Sequence, residues 1–271
     1  MRGTYFMKIY EIFDKENDIS IGILLYYEKE KSFIIELQEY LDEWSAPLLL
    51  TNYVKRGIFT IPRDVSLLWV KERIIPNSRQ NIGDILTTHG LREYDEIKFL
   101  ELSHGRCSQD SLYIKRIEKL PEYVLERQKK NLTNCTILDG TFLLCFFADD
   151  TIRKIDLRTL SYLPDVDAVI RNRTLFSSCQ IGTGGYFITF NDSIDIPAYE
   201  LHEAGTFIPL RPQDFLLFAK NNLADTTECC EILECSRQNL SYMVKRGQLT
   251  PVKENVKGNL FSKGDVVRNM W

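Results

Sequence analysis

Histidine is scarce in this sequence, long apolar runs are missing, and positive charge is outweighed. Each shortage excludes something. Only His89, His104 and His202 occur among 271 residues. His104 and Cys107 stand three apart, but a metal site needs about four ligands and no second pair has suitable spacing. No run of about 18 uncharged apolar residues exists, so a spanning helix is excluded. The best candidates, Ile21 to Tyr27 and Phe142 to Ala148, have strand length. Arg2 and Lys8 are followed by Glu11 and Asp14 with no apolar core between, so no secretion signal is expected. The 34 basic and 38 acidic residues leave a formal charge of −4. That rules out a basic coat over the whole surface, but not a local basic patch. The seven cysteines are odd in number and scattered, which fits free thiols in a reducing cytoplasm.

The remaining composition is that of a globular protein, with 44% hydrophobic and 27% charged residues. The length suggests two or three compact units at roughly 150 residues each. In the first, 1–130, Lys8 to Phe13 and Ile19 to Tyr27 read as strands around an Asn17-Asp18 turn, and Phe33 to Leu37 as another. Helices are expected after Ala46-Pro47, over Val65 to Ile75 with Pro76 as its stop, after a Ser78 cap with Gly90 as the stop, and over Tyr94 to Ser103. Leu120-Pro121 and the charged Glu126 to Lys130 read as a connector. In the second unit, 131–210, Thr141 to Ala148 and Thr151 to Leu157 form a hairpin about Asp149-Asp150. Ser177 to Ile181 and Tyr186 to Phe190 form another about Gly182 to Gly185. Short helices are expected over Asp165 to Asn172 and Pro197 to Glu203.

Two resemblances attach to these segments. FFADDTIRKIDL, Phe176, the Gly184-Gly185 hairpin and FNDSIDIPAYELHEAG resemble a small bacterial domain of unknown function, often found with helix-turn-helix domains. It implies an α+β fold and brings no chemistry. IGILLYYEKEKSFIIEL, APLLL, RQNIGDIL and GLREYDEIKFLELSHGRC resemble proteins encoded beside HipA-like kinases. No kinase catalytic set follows, so this resemblance implies a partner or regulator of such a kinase toxin.

The third unit, 211–271, carries the most specific pattern. Asp225 and Glu228 make a capping-box-like start. Cys229, Ile232 and Leu233 form an apolar stripe. After Glu234-Cys235, Ser236 caps a second helix with Leu240, Met243 and Val244 inward, and Gly247 stops it. Two helices joined so tightly must cross steeply, which is the helix-turn-helix arrangement. Leu249 to Val252 and Leu260-Phe261 flank a turn at Val256 to Asn259 and predict a two-stranded wing; a last helix follows through Asp265, Val266 and Val267. TTECCEILECSRQNLSYMVKRGQL and KGNLFSKGDVVRNMW resemble the winged helix-turn-helix of the excisionase and MerR group. Glu234 departs from that pattern, where the group often has glycine.

The charge follows the same segment. From Ser236 to Trp271 there are seven basic residues and two acidic, a local +5 in a chain of −4. Arg237, Gln238, Asn239, Ser241 and Tyr242 are the expected base-reading side chains, because arginine pairs with guanine and the amides with adenine. Ser236, Lys245, Arg246, Lys253, Lys257 and Lys263 are the expected phosphate contacts. Cys229, Cys230 and Cys235 read as small core residues. Gly182-Thr183-Gly184-Gly185 lacks the lysine of a phosphate loop and reads as a turn. Asp149, Asp150 and Asp156 fall in a turn and at a strand end.

The sequence therefore predicts an α+β protein. It comprises a mixed N-terminal α/β unit, a small α+β hairpin domain and a C-terminal winged helix-turn-helix. The expected function is a cytoplasmic, sequence-specific regulator binding double-stranded DNA, and in its narrower form an antitoxin-like autoregulator of a HipA-type toxin operon. The expected state is a homodimer, with no catalytic residues, cofactor or metal and no membrane contact. The alternative is a protein-binding adapter or inhibitor that uses the same module as a docking surface.

Overall fold

The computed structural model describes residues 7–138, 140–207, 212–256 and 258–270. The chain is α+β, and all strand pairings among the described residues are antiparallel. It divides into two compact units, Met1–Pro121 and Glu122–Trp271. No helix among the described residues is long and apolar enough to cross a membrane.

In the first unit β1 (Met7–Asp14), β2 (Ile19–Tyr27) and β3 (Ser32–Leu37) form a meander. The Asp14 carboxylate ties its first turn by accepting from Glu16 N (2.9 Å), Asn17 Nδ2 (2.7 Å) and Ser111 Oγ (2.5 Å). α1 (Thr51–Lys55), β4 (Thr60–Ile61), α2 (Arg63–Lys71), α3 (Ile82–Thr88), α4 (Glu96–Ser103) and β5 (Leu112–Ile117) complete the unit. The sheet order is β4-β3-β2-β1-β5. Tyr10, Leu24, Phe33, Ile35, Trp69, Val70, Phe99 and Leu100 share its core. α2 is pinned to the sheet by Ser66, whose hydroxyl accepts from Ile35 N at 3.1 Å and reaches Ile61 O at 3.2 Å.

The helix limits differ from the sequence reading. The Val65 to Ile75 helix starts at Arg63 and stops at Lys71, well before Pro76. Just past that stop, the buried Arg73 pairs with Asp110 and lies 3.9 Å over the Trp69 ring. Ser78 lies in a turn and caps nothing; α3 begins after Asn81, whose Oδ1 accepts from Arg79 Nε. Asp95 is the cap of α4, accepting from Ile97 N at 3.1 Å and Lys98 N at 3.4 Å.

The second unit opens with α5 (Glu122–Gln128), where a connector was expected. One fully buried residue, Val124, anchors it, and its charged residues need no core face. β6 (Leu132–Ile137), β7 (Phe142–Phe147) and β8 (Ile152–Asp156) form the second meander. Then come α6 (Val166–Arg171), α7 (Arg173–Ser177), β9 (Cys179–Ile181), β10 (Phe187–Phe190), β11 (Ile194–Pro197), α8 (Ala198–Ala204) and β12 (Thr206–Phe207). Two sheets, β12-β8-β7-β6 and β11-β10-β9, enclose a core that includes Leu143, Phe147, Ile155, Phe176, Phe190 and Leu201. The turn expected at Gly182 to Gly185 is there: Gly185 has φ +73, and a Cβ on it would stand 2.2 Å from Leu132 O. Only glycine fits so close an approach.

The chain continues through α9 (Pro212–Asn222), β13 (Leu223–Ala224), α10 (Thr226–Ile232), α11 (Arg237–Lys245), β14 (Lys253–Val256), β15 (Gly258–Ser262) and α12 (Lys263–Arg268). A small sheet, β13-β15-β14, covers a separate core of Ala224, Cys229, Leu233, Leu240, Leu249, Phe261 and Val266. This part packs on β6 and β7 within the same unit. Asn134 Nδ2 donates to Ser262 Oγ (3.1 Å), Phe146 stacks on Phe218 (4.4 Å), and Gly264 lies directly against Thr133 O.

Candidate nucleic-acid interface

Side-chain caps set the start of both helices in the C-terminal pair. Asp225 Oδ1 accepts from Thr227 N (2.8 Å) and Glu228 N (2.9 Å) and fixes the start of α10. Ser236 Oγ accepts from Asn239 N (3.2 Å) and starts α11. Such caps are worth about 1 kcal/mol each because they satisfy otherwise orphaned amides. α11 stops at Gly247, with φ +70, where Gln248 N returns to Met243 O at 3.0 Å. Leu233, Leu240 and Leu249 are buried between the elements, and Met243 and Val244 pack beside them.

The bend between α10 and α11 is made at Glu234, which is held at φ +51. Its neighbour Cys235 donates N–H to Cys230 O at 3.0 Å and closes the turn. The left-handed conformation crowds any Cβ. We expect Glu234→Gly to stabilise the protein by about 0.5–1 kcal/mol, the steric gain less the added chain entropy. Thermal unfolding should register it as a midpoint raised by a few degrees; a lowered midpoint would mean the Glu234 side chain contributes more than its backbone costs.

With its apolar side packed inward, α11 presents Arg237, Gln238, Asn239, Ser241 and Tyr242 to solvent. All five expected base readers are thus exposed on one element. Arg237 Nη2 donates to Thr227 Oγ1 on α10 at 3.2 Å, which fixes the guanidinium at the start of the helix. At the other end Lys245 and Arg246 are exposed, and the Arg246 guanidinium lies 4.3 Å from the Tyr242 ring centroid. Tyr242 is half-exposed and so offers one ring face to Arg246 and an edge to solvent.

The expected phosphate contacts are less uniform. Lys253 is exposed on β14. The Ser236 hydroxyl is engaged as a cap, and Lys263 is paired with Glu228 Oε1 at 2.5 Å. That pairing joins the start of α12 to the first turn of α10, across 35 residues of chain, and nothing local in the sequence marks it. Lys257 lies outside the described residues.

No family model matches the chain, and neither a curated protein nor a solved structure matches it.

The other constellations have structural partners. Burial pushes the Cys229 thiol up to about 12, as befits a core residue. Cys135 and Cys145 face each other across β6 and β7 with sulfurs 3.5 Å apart. The hydrogen bond to Cys145 and burial push the Cys135 thiol well up. Asp156 is bound by Arg158 and Thr141, and the Arg158 guanidinium brings its carboxyl down to about 2. Asp149 accepts from Thr151 Oγ1 at 2.6 Å and pairs with His202 Nε2 at 2.8 Å. Burial opposes its ionisation, but these bonds outweigh burial and hold the carboxyl below its usual range. Nothing local in the sequence marks the His202 pairing, because 53 residues separate the partners. Among the described residues no three histidine, cysteine or acidic side chains are grouped to hold a metal ion.

Proposed function

We propose that the C-terminal part of the second unit is a winged helix-turn-helix and that the chain is a sequence-specific DNA-binding regulator. The observation that carries this reading is the exposed row of Arg237, Gln238, Asn239, Ser241 and Tyr242 on a helix whose other face is buried. α11 enters the major groove, where arginine and amide side chains discriminate bases. Lys245 and Arg246 beside it, with Lys253 on β14, neutralise flanking phosphates, and Lys257 is expected from the sequence to add to them. The antitoxin-like form of this proposal is supported only by the N-terminal resemblance to proteins encoded beside HipA-like kinases.

One such head covers about 600–1,000 Å² of DNA surface and gives limited specificity alone. The protein is therefore proposed to bind as a homodimer on an inverted repeat, with half-sites one helical turn or a multiple apart.

The deciding experiment is a binding series on the operator and on a scrambled duplex. Arg237→Ala should cost about 1–3 kcal/mol on the operator and relax preference at one base position. Lys253→Ala should weaken both duplexes equally. Equal weakening of both by Arg237→Ala would show that α11 is not the reading helix. If footprinting on the protein's own promoter detects no protection, the module is an adapter surface instead.

A further inference from the structure

The first unit carries a feature that DNA reading does not use. Between β3 and α1 the chain makes a tight excursion that points three large apolar side chains into water. Tyr40 is 60% exposed, Trp44 86% and Leu48 93%. All lie within nine residues of sequence. Exposed apolar groups scattered singly need no explanation, but a tryptophan and a leucine held out together do.

The excursion is built to hold them there. Leu41 and Leu50 at its two ends are buried in the core. Asp42 Oδ1 accepts from Trp44 N (3.0 Å), Ser45 N (2.9 Å) and Ser45 Oγ (2.8 Å), while Asp42 N donates back to Ser45 Oγ at 3.0 Å. Ala46 N bonds Asp42 O, and Leu50 N bonds Pro47 O. Tyr40 is tied to the sheet through its hydroxyl and Ser20 O. A turn this constrained presents Trp44 with little ordering cost left to meet on association. Tryptophan and tyrosine are also the side chains that dominate binding hot spots.

Charge selects the occupant. From Ser32 to Val54 there are four acidic residues and no basic one. Of these, Glu39, Asp42 and Glu43 are exposed around the apolar side chains, and Glu43 is paired with Lys55 at 2.7 Å. A second copy related by a two-fold axis would set acid against acid. An anionic bilayer would be repelled. We propose that the Tyr40–Leu48 turn docks into a partner protein through an apolar pocket rimmed with lysine or arginine, where the acidic rim adds attraction and register. This proposal stands apart from DNA reading, since it rests on the first unit alone.

The test uses the full chain as bait for a displayed library of random peptides, counter-selected against the Trp44→Ala protein. At so exposed a position that substitution leaves the core intact. Peptides that need Trp44 should be enriched in lysine or arginine flanking aliphatic or aromatic residues. Trp44→Ala should weaken them about thirtyfold, the scale of a hot spot, and Leu48→Ser less. Glu39→Lys with Glu43→Lys should weaken the basic peptides without disturbing the fold. If no peptide depends on Trp44, or the dependent ones have acidic or neutral flanks, the proposal fails. A Trp44-dependent dimer in sedimentation, without basic-peptide binding, would assign the turn to a second copy and overturn it. Trp44-dependent partition onto zwitterionic vesicles, again without peptide binding, would assign it to membrane and overturn it equally.

Discussion

Affinity for a duplex is expected to fall about 150-fold per reading head between roughly 50 and 200 mM salt. Each neutralised phosphate contributes about 0.9 to the slope of log affinity against log salt. Six contacts counted from the sequence would give a slope of about −5. The structure lowers that number, because Ser236 is neutral and spent as a cap while Lys263 is already paired with Glu228. Lys245, Arg246 and Lys253 remain exposed, and with Lys257, which lies outside the described residues and is kept from the sequence, they give a slope of about −3.6, doubled for two heads on an inverted repeat. Glu228→Gln releases Lys263 and should steepen the slope by about one contact. Fluorescence anisotropy across a salt series measures both. An affinity that stays level over that range would sink the phosphate-contact assignment.

Gly264→Val is expected to cost about 3 kcal/mol or more, because overpacking against backbone is added to a lost buried hydrogen bond. A Cβ at this position would stand 2.1 Å from Thr133 O and 2.3 Å from Asn134 Oδ1. The first of these is backbone of β6 and cannot swing aside. α12 must lift, and Asn134, only 8% exposed, then loses its bond to Ser262. Gly83→Ala is the contrast, since nothing stands within 4 Å of that position on α3. It should be neutral or stabilising, by up to about 1 kcal/mol. Denaturant midpoints of the two variants measure the difference. A Gly264→Val protein as stable as the parent would mean that the C-terminal helices do not bear on β6.

Much of the local structure could be read directly from the residues. The meander of β1 to β3 and the β7–β8 hairpin follow from apolar runs broken at Asn17-Asp18 and Asp149-Asp150. The limits of α10 and α11 follow from Asp225, Ser236 and Gly247, whose side chains or backbone settle helix ends within a few residues. These are short-range choices between a chain segment and its immediate neighbours, so the sequence order itself contains them. The exposure of the α11 polar face follows as well, since its apolar residues had only one way to turn.

β6 was hidden for the opposite reason. Its buried positions are Leu132, Asn134 and Thr136, so two of the three buried side chains are polar. Alternation that buries amide and hydroxyl groups does not read as a core-facing strand. Those groups are tolerable only because Asn134 finds Ser262, 128 residues later, and Thr136 accepts from Asn221, 85 residues later. The same distance concealed the Lys263–Glu228 and His202–Asp149 pairs. A cap or a turn is paid in contacts made nearby. A buried polar strand is stable only when a remote element arrives to complete its hydrogen bonds, and that was decided by the tertiary structure alone.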